Sequence, residues 1–441
     1  MAKRPTTLIY GLDDRPPGIM LSLLAVQHIL LMSTSLVLPV ALVSGLGFGF
    51  STVGAVVSLS MIACGAGTIL QALRLPFMGS GYLCPNLCGP NFFAASTTAA
   101  WLGGLPLMRG MTIVAGLVEI VFARFMPRLG FLFPSEITGL VVMMVGFSMI
   151  PVGASKFLGI GYVGEPIDGL NFALAAGTLM LMVAVNIWGS ARMRLFVVLI
   201  GMVTGYVLSW ACGLIPPSDL AHVRAAPWIG LPRFEGMFDI AFDWALLPTF
   251  IIVSLCGALK SIGNLTLAEK VNDEDWTAPN TELIGKGLVA DGITVALSGL
   301  IGGVASDTSS SNVALAGATG ATSRYIAFAA GALFIVLGFS PKISAMLTEM
   351  PAPVGGAILC YLIAFMAASG MQMIIASKLD SRRTLAIGIA IFFGFSLDMV
   401  PTLWTHVPGW ARPLFDSSLT LSVVIAVVLT QVFRLGSNGK A

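Results

Sequence analysis

The sequence predicts an all-α polytopic membrane protein of fourteen segments in two inverted seven-segment repeats (a 7+7 fold), with short extended strands in broken segments 3 and 10. Three observations carry this expectation. Only 10% of the 441 residues are charged, 56% are hydrophobic and the mean hydropathy is +0.93, whereas soluble chains average about 25% charged. Between Arg15 and Arg74 lie 58 consecutive residues without Asp, Glu, Lys or Arg. That is room for two spans of about 20 residues each. Finally, the connection at 215–243 divides the chain into halves of about seven segments, and an odd number per half inverts one half relative to the other.

The amino end, MAKRPTTLIYGLDDRPPG, is polar and Pro-rich, without the apolar core and small-residue cleavage site of a signal peptide. Segments are expected to begin near residues 18, 50, 79, 105, 136, 170, 194, 244, 284, 306, 323, 353, 383 and 415. The first carries Gln27 and His28 mid-span, the eighth Lys260 and the ninth Asp291. The third, RLPFMGSGYLCPNLCGPNFF, and the tenth, GGVASDTSSSNVALAGATG with Asp307, are too interrupted for ordinary helices. Irregular backbone survives at membrane depth only where protein or a wet cavity satisfies it. Paired interrupted segments in equivalent places point to a transporter's substrate site.

An even number of segments puts both termini on one side. The termini and even-numbered connections hold 16 of the 23 Lys and Arg residues, the odd-numbered connections hold six, and Lys260 stands alone inside a span. The positive-inside rule therefore predicts cytoplasmic termini. A net charge of +2 without a basic block gives no sign of nucleic-acid binding. The six cysteines are scattered, and the Cys84/Cys88 pair has no nearby His, so neither a metal nor a cofactor is expected. Three separated histidines, no carboxylates at metal-ligand spacing and no phosphate loop argue against a membrane enzyme.

Five stretches, in order, resemble the nucleobase–ascorbate transporters, also called the nucleobase–cation symporter-2 or uracil/xanthine permease family. VQHILLMSTSLVLPV is similar to the QH-containing first helix of that family, and RLPFMGSGY to its third-segment motif. KGLVADGITVALSGLIGG resembles the ADG stretch before the tenth segment. PAPVGGAILCYLIAFMAASGMQMI is similar to the PxPVxGG region of segment 12. The family signature, Gln, Glu or Pro followed by Asn-x-Gly-x-x-x-x-Thr, aligns with Ser311 to Gly320; Asn312, Thr319 and Gly320 fit, while Ser311 and Ala314 depart. Where relatives place a Glu in segment 8, this chain has Lys260, followed four residues later by Asn264.

By resemblance, Tyr82, Lys260, Asn264, Ser311 and Asn312 are expected at the substrate, with His28, Gln27, Asp291 and Asp307 in coupling or support. An aromatic face with edge-directed hydrogen bonds suits a planar heterocycle. An intramembrane lysine should face a cavity or a partner, for which Asp291 and Asp307 are the candidates. Three readings of Lys260 stand: a fixed cation for an acidic substrate, a structural ion pair, or a helix-end lysine reaching an interface.

The resemblance implies a core domain from 18–130 and 244–341, and a gate domain from 131–215 and 342–434, after a cytoplasmic 1–17. It implies alternating-access transport of a nucleobase such as uracil, xanthine or urate across the bacterial inner membrane, with homodimerisation through the gate. Protons are a candidate coupling ion, and membrane lipid is the surrounding partner. The alternative is an inorganic or organic anion transporter on the same fold.

Overall fold

Apolar runs fold as helices wherever no glycine-rich or polar break interrupts them, and several begin at a capping side chain in the sequence. The computed structural model describes residues 4–132, 134–160, 166–194, 196–214, 227–234, 236–342, 351–376, 380–400 and 418–435, with single positions at 224, 402, 407 and 415. The first half comprises α1 (Gly18–Ser33), α2 (Val37–Gly45), α3 (Phe50–Ala72), β1 (Asn86–Cys88), α4 (Phe93–Leu129), α5 (Ser135–Ser148), α6 (Ile150–Leu158), α7 (Gly169–Trp188), α8 (Ala191–Arg194) and α9 (Val197–Ala211). The second comprises α10 (Leu247–Asn272), α11 (Thr281–Ile301), β2 (Ser306–Thr308), α12 (Ser310–Thr319), α13 (Arg324–Gly338), α14 (Ala352–Ala376), α15 (Ser381–Met399) and α16 (Ser418–Leu435). Element starts follow the predicted segment starts to within a few residues, apart from the third segment, which enters as irregular chain before β1. Seven helices among the described residues are long and apolar enough to cross a bilayer. Much of the 215–243 connection, residues 343–350 at the opening of 342–434, and Lys3, Lys378, Arg412 and Lys440 lie outside the described residues.

Caps explain several boundaries. Asp168 accepts from Leu170 N at 2.9 Å, Asn280 from Leu283 N at 3.1 Å and Asp380 from Arg383 N at 2.8 Å, satisfying first-turn amides that have no partner within the helix. Between segments 3 and 4 the helical run breaks at Gly103 and Gly104, the latter at φ 69° and ψ −170°. That backbone region is essentially confined to glycine, and Pro106 follows it.

Three helix pairs cross through facing glycines. A Cβ on Gly65 (α3) would sit 2.7 Å from Gly331 O (α13), one on Gly116 (α4) 2.4 Å from Gly292 O (α11), and one on Gly139 (α5) 3.0 Å from Gly370 O (α14). Small residues let membrane helices approach to backbone contact, where Cα–H groups meet carbonyl oxygens.

The few polar groups at the ends are committed. Asp13 pairs with Arg74 at 3.1 Å and Arg324 at 3.0 Å, and Asp14 with Arg4 at 2.9 Å. The N-terminus and two even-numbered connections therefore meet at one end of the molecule. The amino-terminal segment runs beside the turn after α12: Ile9 N and Tyr10 N donate to Gly320 O, and Thr322 N returns to Tyr10 O.

Arg109 is 1% exposed. Its guanidinium donates to Gly299 O at 3.0 Å, Leu300 O at 2.6 Å and Asp239 O at 2.8 Å, closing the carbonyl end of α11. Arg109→Ala is expected to cost about 3 kcal/mol through these charge-assisted bonds. Thermal unfolding in detergent checks it, and Arg109→Lys should recover only part because an ammonium lacks the planar fork.

Candidate functional site between two broken segments

Strands β1 and β2 pair antiparallel, with Asn86 opposite Thr308, Leu87 opposite Asp307 and Cys88 opposite Ser306. The unwound backbone is satisfied at its margins too. Gly89 N donates to Ala305 O at 2.8 Å and Ser309 N to Pro85 O at 2.7 Å. Hydroxyls on neighbouring segments take further amides: Thr68 accepts from Asn86 N at 3.0 Å, Ser35 from Cys88 N at 3.1 Å and Ser60 from Val304 N at 3.1 Å. This accounting permits extended chain in an apolar interior. Helix α12 then starts at Ser309, whose hydroxyl accepts from Asn312 N at 3.3 Å, and stops at Gly320 with φ 73°.

Lys260 reaches Asp307, not Asp291: Nζ lies 2.8 Å from Asp307 Oδ1, with both side chains buried. The helix-end reading of Lys260 is thereby corrected, since the ammonium stays inside on a carboxylate instead of extending to an interface. Asn91 Nδ2 holds the other Asp307 oxygen at 3.3 Å, and a Cβ on Gly89 would come within 3.2 Å of that carboxylate.

Asp291 occupies a separate cluster. Its Oδ1 accepts from Asn86 Nδ2 at 2.7 Å and its Oδ2 accepts from the Ser261 hydroxyl, while Glu119 of α4 is buried as well. Ser261 also meets Thr308 Oγ1 at 2.8 Å, and Asn264 Nδ2 donates to Thr308 Oγ1 at 2.9 Å and to Thr308 O at 3.1 Å. Lys260, Ser261 and Asn264 thus lace one face of α10 to β2. The buried Oδ1 atoms of Asn264 and Asn86 and the hydroxyl of Ser310 have no partner.

His28 and Gln27 diverge. His28 Nδ1 lies 2.7 Å from Asn312 Oδ1, while Asn312 Nδ2 donates to Ser309 Oγ at 2.8 Å. The Asn312 oxygen therefore faces the ring, whose Nδ1 carries the hydrogen. Asn312 is engaged at both ends of its amide. Gln27 Oε1 instead accepts from Leu199 N of α9 at 3.0 Å. Tyr82 is 7% exposed and packs in the cluster containing Val313 and Ala314 of α12 and Val141 of α5. Ser311 Oγ lies 3.2 Å from Ser309 Oγ.

Sequence reasoning missed Glu119, Asn86, Ser261 and Thr308. Glu119 had a usable signal, an isolated acid within GMTIVAGLVEIVFA, because intramembrane ionisable residues are functional candidates by default. The other three carry no signal outside the fold.

The xanthine/uracil permease model, described as Permease family, matches residues 20–403. A putative purine permease of Clostridium perfringens is 28% identical, over 97% of this chain and 93% of its own. The xanthine permease XanP of Escherichia coli is 27% identical, over 97% and 94%, and the uric acid permease PucJ of Bacillus subtilis 28%, over 93% and 92%. Among solved structures, the murine Solute Carrier 26 family member A9 anion transporter aligns with a TM-score of 0.50 at 10% identity, covering 96% of this chain and 69% of that one. At such identity the likeness concerns the fold alone. With its family model spanning most of its length and its helices apolar enough to cross a bilayer, the chain belongs to the permease family of nucleobase–ascorbate transporters and is an integral membrane transporter, not an enzyme.

Proposed function

We propose that the protein carries a purine or related nucleobase across the bacterial inner membrane by alternating access, with substrate held between the broken third and tenth segments. The observation that carries this reading is the set of buried, unpartnered acceptors beside the paired strands, Asn264 Oδ1, Asn86 Oδ1 and the Ser310 hydroxyl. Buried polar atoms are ordinarily satisfied, and the N–H groups on a nucleobase edge would satisfy these. Tyr82 supplies a ring for stacking. Relatives named for purine, xanthine and uric acid transport point to the same substrate class.

The core is 18–130 with 244–341, and the gate is 131–215 with 342–434. The glycine crossings support this division and the inverted repeat. Advancing the segment 2–11 contact by seven segments along a fourteen-segment cycle gives the 9–4 contact, and the 5–12 contact maps onto itself. Core moves against gate, both termini are cytoplasmic, and the protein forms homodimers through the gate. In the site, Tyr82, Asn264 and Ser311 face substrate, Lys260 and Asp307 hold α10 on β2, and His28 fixes Asn312. Gln27 lies on the core–gate contact through Leu199. An anion carrier would need net positive charge, and Asp307 cancels that of Lys260.

Uptake into proteoliposomes tests this. Labelled xanthine, urate and uracil are offered in parallel, with sulfate and bicarbonate as competitors. Saturable uptake of at least one base, unaffected by either anion, is expected; anion uptake without any base transport would overturn the proposal.

A further inference from the structure

The chain that leads into α10 is apolar where a water-facing loop would be polar. Trp228, Leu231 and Trp244 are exposed, Ile229 is 86% exposed and Phe238 88%. These side chains do not belong to a loose loop. Gly230 N donates to Phe339 O at 2.9 Å, Lys342 N to Pro227 O at 3.0 Å and Ala241 N to Pro106 O at 3.0 Å, while Arg109 holds the Asp239 carbonyl. The segment is thereby fixed at the end of α13, opposite the end where Arg324 meets Asp13 of the amino-terminal segment. Large apolar side chains held open at the helix ends, two of them tryptophans, suit the interfacial layer of a bilayer. Lys342 Nζ lies over the Trp228 ring, 4.9 Å from its centroid, a pairing suited to the same depth.

Behind this edge lies an open groove of about 780 Å³. Its walls include Leu59 and Ile62 of α3, Ile301 of α11, Phe339 after α13, and Phe234 and Phe238 of the segment itself. Among the described residues, the charged side chains lining it are Arg233 and Asp239. Arg233 is exposed and has no ion-pair partner among the described residues. The Asp239 carboxylate lies over Gly236, 2.9 Å from where a Cβ would stand. An apolar wall with one cation and one anion matches a lipid whose head carries both charges. The guanidinium takes the phosphate, the carboxylate accepts from an ammonium, and an acyl chain covers the apolar wall. A purely anionic head would leave Asp239 facing a phosphate. A choline head has no N–H to donate to it.

We propose that this groove binds a zwitterionic phospholipid with a primary ammonium, phosphatidylethanolamine, from the leaflet facing away from the termini. Arg233 and Asp239 read its head, and the 227–244 segment lies in the interface beside it. The bound lipid joins α3, α11 and α13 to that segment, in addition to the backbone hydrogen bonds.

The test titrates purified protein in detergent with phosphatidylethanolamine, phosphatidylcholine or phosphatidylglycerol and follows Tm. Phosphatidylethanolamine should raise Tm with concentration, as a ligand of the folded state must, and the other two should raise it less. Arg233→Gln and Asp239→Asn, each measured against its own lipid-free Tm, should reduce that rise to the level of phosphatidylcholine. Equal rises with all three lipids, or an unreduced rise in either variant, would overturn the site. Placement is tested separately, in vesicles containing lipids brominated near the headgroup. These should quench the tryptophan fluorescence of wild type more than that of Trp228→Phe/Trp244→Phe, and equal quenching would overturn the interfacial position.

Discussion

Lys260→Met will leave Asp307 as an uncompensated buried carboxylate, with an expected loss of about 3–5 kcal/mol, the usual cost of breaking a buried ion pair from one side. The pair lies 2.8 Å apart with both side chains buried, and only Asn91 Nδ2 at 3.3 Å would remain on the carboxylate. The double variant Lys260→Met/Asp307→Asn removes both charges together and should recover most of the stability, because replacing both members of a buried pair is often neutral. Thermal unfolding of wild type, both single variants and the double variant completes the cycle. A double variant no more stable than Lys260→Met would show that the ion pair does not set the cost. Nucleobase uptake by a folded double variant would place Lys260 in structure; loss of uptake with stability restored would place it at the substrate.

Gly116→Val is expected to separate α4 from α11 and to abolish folded protein. A Cβ at Gly116 already falls 2.4 Å from both Ala296 N and Gly292 O, and reciprocally one at Gly292 falls 2.8 Å from Gly116 O. Of the three atoms nearest a Gly116 Cβ, two are helix backbone and the third is Ala296 Cβ, and none of them can rotate aside as the end of a flexible side chain can. Overpacking costs typically about 1–3 kcal/mol, occasionally more, and here the displaced helices also carry Glu119 and Asp291. Monodispersity in detergent checks it. Gly54→Val provides the control, because nothing lies within 4 Å of a Cβ there, and it should remain monodisperse.

Much of this architecture was legible before any coordinates. Segment starts could be read because hydropathy is summed locally along the chain, and the interruptions in RLPFMGSGYLCPNLCGPNFF and GGVASDTSSSNVALAGATG could be read because proline, glycine and hydroxyl runs act on their own backbone. The divergence of Gln27 and His28 was legible in principle as well. Adjacent residues on a helix of 3.6 per turn point about 100° apart, so one faces α12 while the other reaches α9. The choice of Asp307 over Asp291 for Lys260 was not legible. Both acids lie dozens of residues further on, and no periodicity ranks them.

The sequence by itself determined the solvent, the number of apolar segments and the two interrupted segments that pair as strands. Each follows from composition or from neighbours within a turn or two. The tertiary structure decided which polar groups are neighbours: Lys260 with Asp307, Asn86 and Ser261 with Asp291, His28 with Asn312. Coulomb and hydrogen-bond energies depend on distances of about 3 Å between groups brought together by folding, and a linear chain does not encode those distances in any local pattern.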